Sequence, residues 1–195
     1  MYLFFDTETT GKEDWNFHVL DSRHWPRMVE IGWLLYDKSG NEIQRESHII
    51  KPVNFTIPDD AVAIHGITTD HAVKKGISIK KALNELGEII NQSELLISHN
   101  IDFDIGVVVN EFQRNNLDHP IFNKNRFCTM KNPMIIEYCK IPSSSISGKY
   151  KWPSLSELYF SLFNENVVAA HSALIDAKTC AKCFFKLISI GVIKI

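Results

Sequence analysis

Residues 2–11 read YLFFDTETTG, an apolar run that ends in Asp6 with Glu8 two positions later. Tyr2 to Phe5 have the composition of a buried strand, and side chains along a strand alternate between its two faces. Asp6 and Glu8 therefore project together if the strand continues through them. Two carboxylates at that spacing raise each other's pKa unless a cation lies between them. The Thr9-Thr10-Gly11 that follows is a tight backbone able to approach a ligand closely.

Working outward, residues 28–37 (MVEIGWLLYD) and 42–51 (EIQRESHIIK) read as two more strands joined by the turn KSGN. With the first strand they form an antiparallel meander. Residues 12–27 are polar and aromatic without periodicity, a loop long enough to lie beside a site. Its Trp15, Phe17 and Trp25 read as anchors to the core rather than as a stacking platform. Residues 64–76 read as a turn and a short helix with Thr68 or Thr69 as N-cap. In 78–92, Ile79, Leu83, Leu86 and Ile90 recur at helical spacing behind a Ser78 N-cap. Residues 94–98 give a fourth strand, 102–116 a helix, and 142–154 the most loop-like stretch. A last helix runs from about Ser172 to Ser189, with Ala173, Ala177, Cys180, Ala181, Phe184 and Ile188 as its stripe. There is no internal repeat. One α/β domain over residues 1–195 is expected, a mixed central sheet with flanking helices.

A net charge of −2 argues against a broad basic surface for long duplex nucleic acid. A site gripping a short piece of a polyanion with the help of metal ions remains open. Residues 1–5 are too short for a signal peptide, and no run reaches the ~18 apolar residues that span a bilayer. Four cysteines in 195 residues are too sparse for a disulfide framework, and a cytoplasmic protein with no membrane partner is expected.

Two further acid clusters stand at expected helix starts. In SHNIDFDIGVVVNEF (98–112), Asp102 and Asp104 both fall in the first turn, where the helix dipole favours negative charge. They differ by about 200° around the helix, so one faces the site and the other caps or meets solvent. Periodicity does not choose between them. In AHSALIDAK (170–178), His171 and Asp176 converge if His171 precedes the helix and Ser172 is its N-cap. Carboxylates from several elements, with no cysteine cluster among them, suit Mg²⁺ or Mn²⁺ better than zinc. Two such ions can clamp both oxygens of a phosphoryl displacement, and a nearby histidine can take the proton of the attacking water.

The chain resembles the DnaQ-like 3′–5′ exonucleases of the histidine-bearing (DEDDh) branch, with a ribonuclease H-like fold. The family motif D-x-E-T-T-G stands here as Asp6-Thr7-Glu8-Thr9-Thr10-Gly11, H-N-x-x-F-D as His99 to Asp104, and H-x(4)-D as His171 to Asp176. Asp104 matches the metal-binding acid, and Asp102 falls on a variable position. The resemblance implies that Asp6, Glu8, Asp104 and Asp176 hold two Mg²⁺ or Mn²⁺ ions and that His171 is the general base. IHGIT (64–68) matches a segment that flanks the terminal nucleotide, implying that His65, Gly66 and Ile67 lie near its sugar and base. Thr7, Thr9, Thr10, Asn100 and Phe103 are the other implied substrate contacts. The implied partner is a nucleic acid with a free 3′ end, single-stranded or frayed DNA foremost, and the product a nucleoside 5′-monophosphate. The same chemistry on RNA is a near rival, and a non-cutting binding module or polymerase accessory a more distant one. The chief departure is the long 12–27 segment.

Two other signals carry less. The CAKC pair at 180–183 lies in the last helix without a partner pair, which reads as core rather than zinc or redox chemistry. KYKWP at 149–153 mixes basic and aromatic residues and reads first as a plain surface loop. His18, His24, His48, His71 and His119 show no partner pattern.

Overall fold

The computed structural model describes residues 1–12, 19, 21–119, 121–144, 149–167 and 171–195. Strands β1 (Tyr2–Thr9), β2 (Met28–Tyr36) and β3 (Glu42–Ile49) pair as the expected antiparallel meander. On the other side of β1, β4 (Leu95–Ser98) and β5 (Asn125–Cys128) add in parallel, giving the order β3-β2-β1-β4-β5. Parallel neighbours need crossovers. The first passes through α1 (Asp59–His65), α2 (Thr69–Lys75) and α3 (Ile79–Gln92), the second through α4 (Ile101–Arg114). The chain then runs through α5 (Pro133–Cys139), α6 (Leu155–Phe163) and α7 (Ala173–Ser189). Among the described residues no helix is long and apolar enough to cross a membrane.

Alternation along the strands feeds two cores. Leu3, Phe5, Ile31, Trp33 and Leu35 pack with Leu83 and Leu86 of α3 and Val108 and Phe112 of α4. Phe4, Leu34 and Ile97 point the other way, onto Leu158 of α6 and Ala177, Cys180 and Phe184 of α7. β2 is buried along its whole length, which is why MVEIGWLLY reads as nearly continuous apolar sequence. The small residues of α7 bring it close to the sheet. At Gly32 a Cβ would lie 2.2 Å from the Leu174 amide nitrogen, so the first turn of α7 rests on bare β2 backbone.

Thr68 is the N-cap of α2, its hydroxyl accepting from His71 N–H at 3.1 Å. Ser78 and Ser172 occupy the expected N-cap positions of α3 and α7, yet neither side chain makes a cap bond. Helices α5 and α6 and strand β5 lie where no element was expected. Cys180 and Cys183 are free and buried in the core. Trp15, Phe17 and His18 fall outside the described residues. Trp25 is the anchor it was expected to be, seated where a Cβ on Gly106 would come within 2.0 Å of its ring. The Arg114 guanidinium fastens the same stretch by donating to the carbonyls of Ser22, Trp25 and Pro26.

Candidate active site

The three acid clusters meet at the C-terminal end of β1. Asp6 and Glu8 share the face turned toward α7, while Thr7 between them turns toward α4. Asp104, in the first turn of α4, is 2% exposed. Its Oδ1 accepts from the Thr7 amide (3.0 Å) and hydroxyl (2.8 Å), and its Oδ2 from the Ser98 hydroxyl (2.5 Å). Asp102 points away and pairs with Lys131 Nζ at 2.6 Å, its side chain 50% exposed. The choice that helical periodicity left open is thus made by burial, in favour of Asp104.

On the other flank, His171 takes a left-handed backbone (φ 71°) just ahead of α7, and its N–H donates to Asp176 Oδ2 at 3.0 Å. Glu8, His171 and Asp176 each offer a ligand atom within 4.8 Å of the others.

The carboxylates suffer from this crowding. Burial, then the charge of Asp176 and more weakly those of Glu30 and Asp104, push Glu8 up to about 8. Burial raises Asp104 to about 7 against the pull of its hydrogen bonds from Ser98 and Thr7. Asp6 is held well above the usual range by burial and by the charges of Asp104, Asp176, Glu8 and Glu30. Asp176 is raised by burial, partly offset by the His171 N–H and imidazole. Acids of raised pKa crowded together fit a cation-binding site. The donor set, carboxylate oxygens with one imidazole, suits a hard divalent cation.

Beside Glu8 lies a cleft of about 410 Å³ lined by Thr9, Gly11 and Lys12 from the β1 end and Asp60, Ala61, Ile64 and His65 from α1. His65 is lowered in pKa by burial, and its Nδ1 accepts from Ile67 N–H at 3.1 Å. Gly66 closes α1 at φ 75°, a left-handed cap that glycine adopts freely. Ile67 departs from its expected place near the bases. It is buried against Val29, Ile57, Ala61 and Ala72, and the exposed apolar side chain at the cleft is Ile64, 55% accessible.

Thr7 likewise departs from the expected substrate contact, because its N–H and hydroxyl are both committed to Asp104. Thr9 donates its hydroxyl to the Gly11 carbonyl at 2.6 Å, and the Thr10 hydroxyl accepts from Arg27 N–H at 2.9 Å. The Thr10 N–H is engaged as well, donating to the Arg27 carbonyl at 2.9 Å. Asn100 stands at the N-cap of α4 in a left-handed conformation (φ 74°) without a side-chain cap bond. Phe103 is partly buried beside Trp25, ring centres 6.3 Å apart. His99 is structural: Nε2 donates to the Pro153 carbonyl (3.0 Å), Nδ1 accepts from Thr129 Oγ1 (2.9 Å), and burial pushes it down to about 4.

The exonuclease family profile RNase_T matches residues 3–184. The chain belongs to that exonuclease family. Within it, the chain is 30% identical over 187 residues to a DNA polymerase III subunit epsilon from Buchnera aphidicola, covering 96% of this chain and 74% of the relative. It is 28% identical over 189 residues to the Pasteurella multocida protein of the same name, with 95% and 67% covered. The fold matches E. coli exonuclease I in complex with a dT13 oligonucleotide at a TM-score of 0.75 and 21% identity, over 96% of this chain. A zinc-bound exonuclease I–ssDNA complex matches at 0.72 and 23%. The chain spans 40% of those exonuclease I chains. This is the ribonuclease H-like fold that the sequence led one to expect, and the enzyme class is 3′–5′ exonuclease.

Glu30 escaped the sequence reading. It stands directly opposite Glu8 in the β1–β2 register, is 7% exposed, and its charge reaches Asp6, Glu8 and Asp176. The signal was present: an acid inside the apolar run MVEIGWLLY, as unusual as Asp6 inside YLFFD.

Proposed function

We propose that this exonuclease acts on DNA, single-stranded or frayed, and releases nucleoside 5′-monophosphates from the 3′ end. The observation that carries the reading is the crowd of half-buried to buried, mutually repelling carboxylates beside His171. Asp6, Glu8, Asp104 and Asp176 would hold two divalent cations, Mg²⁺ or Mn²⁺. Bound there, such ions supply Lewis acidity to the phosphate oxygens and ease deprotonation of water. His171 takes the proton of the attacking water as the water oxygen bonds to phosphorus, and the bond to the 3′ oxygen breaks, the departing 3′ oxygen taking a proton from solvent. The N–H bond from His171 to Asp176 keeps the imidazole-bearing residue beside the acids. The Thr7 and Ser98 bonds hold Asp104 in one orientation. The cleft beside Glu8 receives the terminal nucleotide, with Ile64 offering apolar surface that tolerates any base. The epsilon-subunit relatives support DNA as substrate and association with a polymerase.

The test offers 3′-labelled single-stranded DNA, mismatched duplex DNA and RNA to the purified protein with Mg²⁺, with Mn²⁺ and with EDTA. Mononucleotide release from DNA, abolished by EDTA and by Asp6→Ala, and reduced about 10²-fold or more by His171→Ala, is expected. Full turnover in EDTA overturns the metal scheme, an undiminished His171→Ala protein overturns the base, and faster digestion of RNA overturns the substrate.

A further inference from the structure

Helix α7 carries Asp176 in its first turn and follows directly on His171, so the placement of its N-terminus decides where both groups stand. That N-terminus is not capped by its own Ser172, whose side chain makes no cap bond. The acceptor comes from the sheet instead. Glu30 Oε2 accepts from the Ala173 amide at 3.0 Å, while Glu30 Oε1 accepts from the Ser47 hydroxyl at 2.9 Å. Two residues further along β2, Gly32 leaves room for the same helical turn to lie against the strand. A carboxylate at a helix N-terminus is favoured by the helix dipole and satisfies a donor that would otherwise be orphaned and buried.

We propose that Glu30 is a positioning residue of the exonuclease site, a cap supplied across the sheet that docks the start of α7 over Glu8 and so sets His171 and Asp176. It adds to the reading of the site given above and rests on it. Glu30 reaches the reacting groups through the Ala173 amide. Ser47, exposed on the neighbouring strand, holds the carboxylate in the orientation that makes this contact. Its position on β2, opposite Glu8 and joined to Ala173 across 143 residues of sequence, makes the docking a property of the sheet register.

Three variants separate position from charge. Glu30→Gln loses the charge but keeps both bonds, since the amide oxygen accepts from Ala173 and the amide nitrogen donates to Ser47 Oγ. Glu30→Ala removes both bonds. Ser47→Ala removes one, at an exposed position where folding is not at stake. The readouts are kcat and KM on a single-stranded oligonucleotide, calorimetric titration with Mn²⁺ alone, and circular dichroism. Glu30→Ala is expected to lose about 100-fold in kcat with little change in KM, as a slight misplacement of reacting groups does. Its Mn²⁺ affinity is expected to fall about 10-fold or more, the usual cost of losing an orienting partner. Ser47→Ala is expected to lose about 5-fold in kcat, and Glu30→Gln to recover to within about 5-fold of the parent.

Parent-like kcat and Mn²⁺ affinity in both alanine variants overturn the proposal. A Glu30→Gln protein as impaired as Glu30→Ala also overturns it, since charge and not position would then be what matters. Should Glu30→Ala fail to fold, the Ser47→Ala and Glu30→Gln results decide. A parent inactive on every oligonucleotide sinks the proposed function instead, and the Mn²⁺ titrations still read the positioning.

Discussion

At Asp104 burial and hydrogen bonding pull in opposite directions, and burial wins: three donors surround the carboxylate, yet it stands at about 7. Glu8 stands at about 8, and Asp6 is raised as well. In the unfolded chain these acids revert to ordinary carboxylate values. Without metal, the folded protein therefore keeps carboxyl protons that the unfolded chain has released, and their contribution to stability falls as pH rises from about 4.5 toward about 8. Glu94 and Asp21, lowered to about 2 by their cationic partners, work in the opposite sense, but only below the ordinary carboxylate range. His99, pushed down to about 4, and His65 and His119, lowered by burial, also work in the opposite sense up to the ordinary histidine value of about 6.5, so the carboxyl effect is read above that pH. In EDTA, the melting temperature is expected to drop between about pH 6.5 and about pH 8. With millimolar Mn²⁺ the trend is expected to flatten or reverse, because a cation bound only by the folded state displaces those protons. A metal-free melting temperature that climbs between about pH 6.5 and about pH 8 would contradict the crowding of Glu8, Asp6 and Asp104.

Each site-bearing element is held by contacts that its own sequence does not contain. Helix α4 is fastened to the start of β2 through Glu111, 1% exposed, whose carboxylate accepts from Arg27 Nε (2.7 Å), Arg114 Nη1 (2.9 Å) and the Met28 amide (3.3 Å). Glu111→Ala leaves two guanidinium groups largely buried without their counter-charge. A loss of about 3 kcal/mol is expected, read as a lower urea midpoint, because removing one partner of a buried pair strands the other. An unchanged midpoint would show that Arg27 and Arg114 are satisfied by their remaining contacts. The helices that sequence reading passed over had local signals of their own. Ser154 and Glu157 form a capping box ahead of α6, and Asn132-Pro133 is an N-cap followed by proline at the first position of α5. β5 had none: four residues, none of them fully buried, show no useful alternation.

At the scale of the whole molecule, a net charge of −2 restricts how nucleic acid can be held. On the proposed function, binding would then depend on cations at the acid cluster and on a few phosphates. The dependence of log(kcat/KM) on log[salt] for a single-stranded oligonucleotide is therefore expected to be shallow, a slope of about −2 or less in magnitude. A slope several times steeper would reveal a long basic track. By itself the sequence determined the fold class and the three acid clusters, because strand alternation, helical spacing and the D-x-E, H-N-x-x-F-D and H-x(4)-D spacings are written in short windows. Tertiary structure alone decided that Thr7 serves Asp104, that Ile64 rather than Ile67 meets the cleft, and that Glu30 caps α7. The physical reason is common to all three. Each depends on which surfaces a sheet register and a docked helix bring together, across separations such as the 97 residues from Thr7 to Asp104 and the 143 from Glu30 to Ala173.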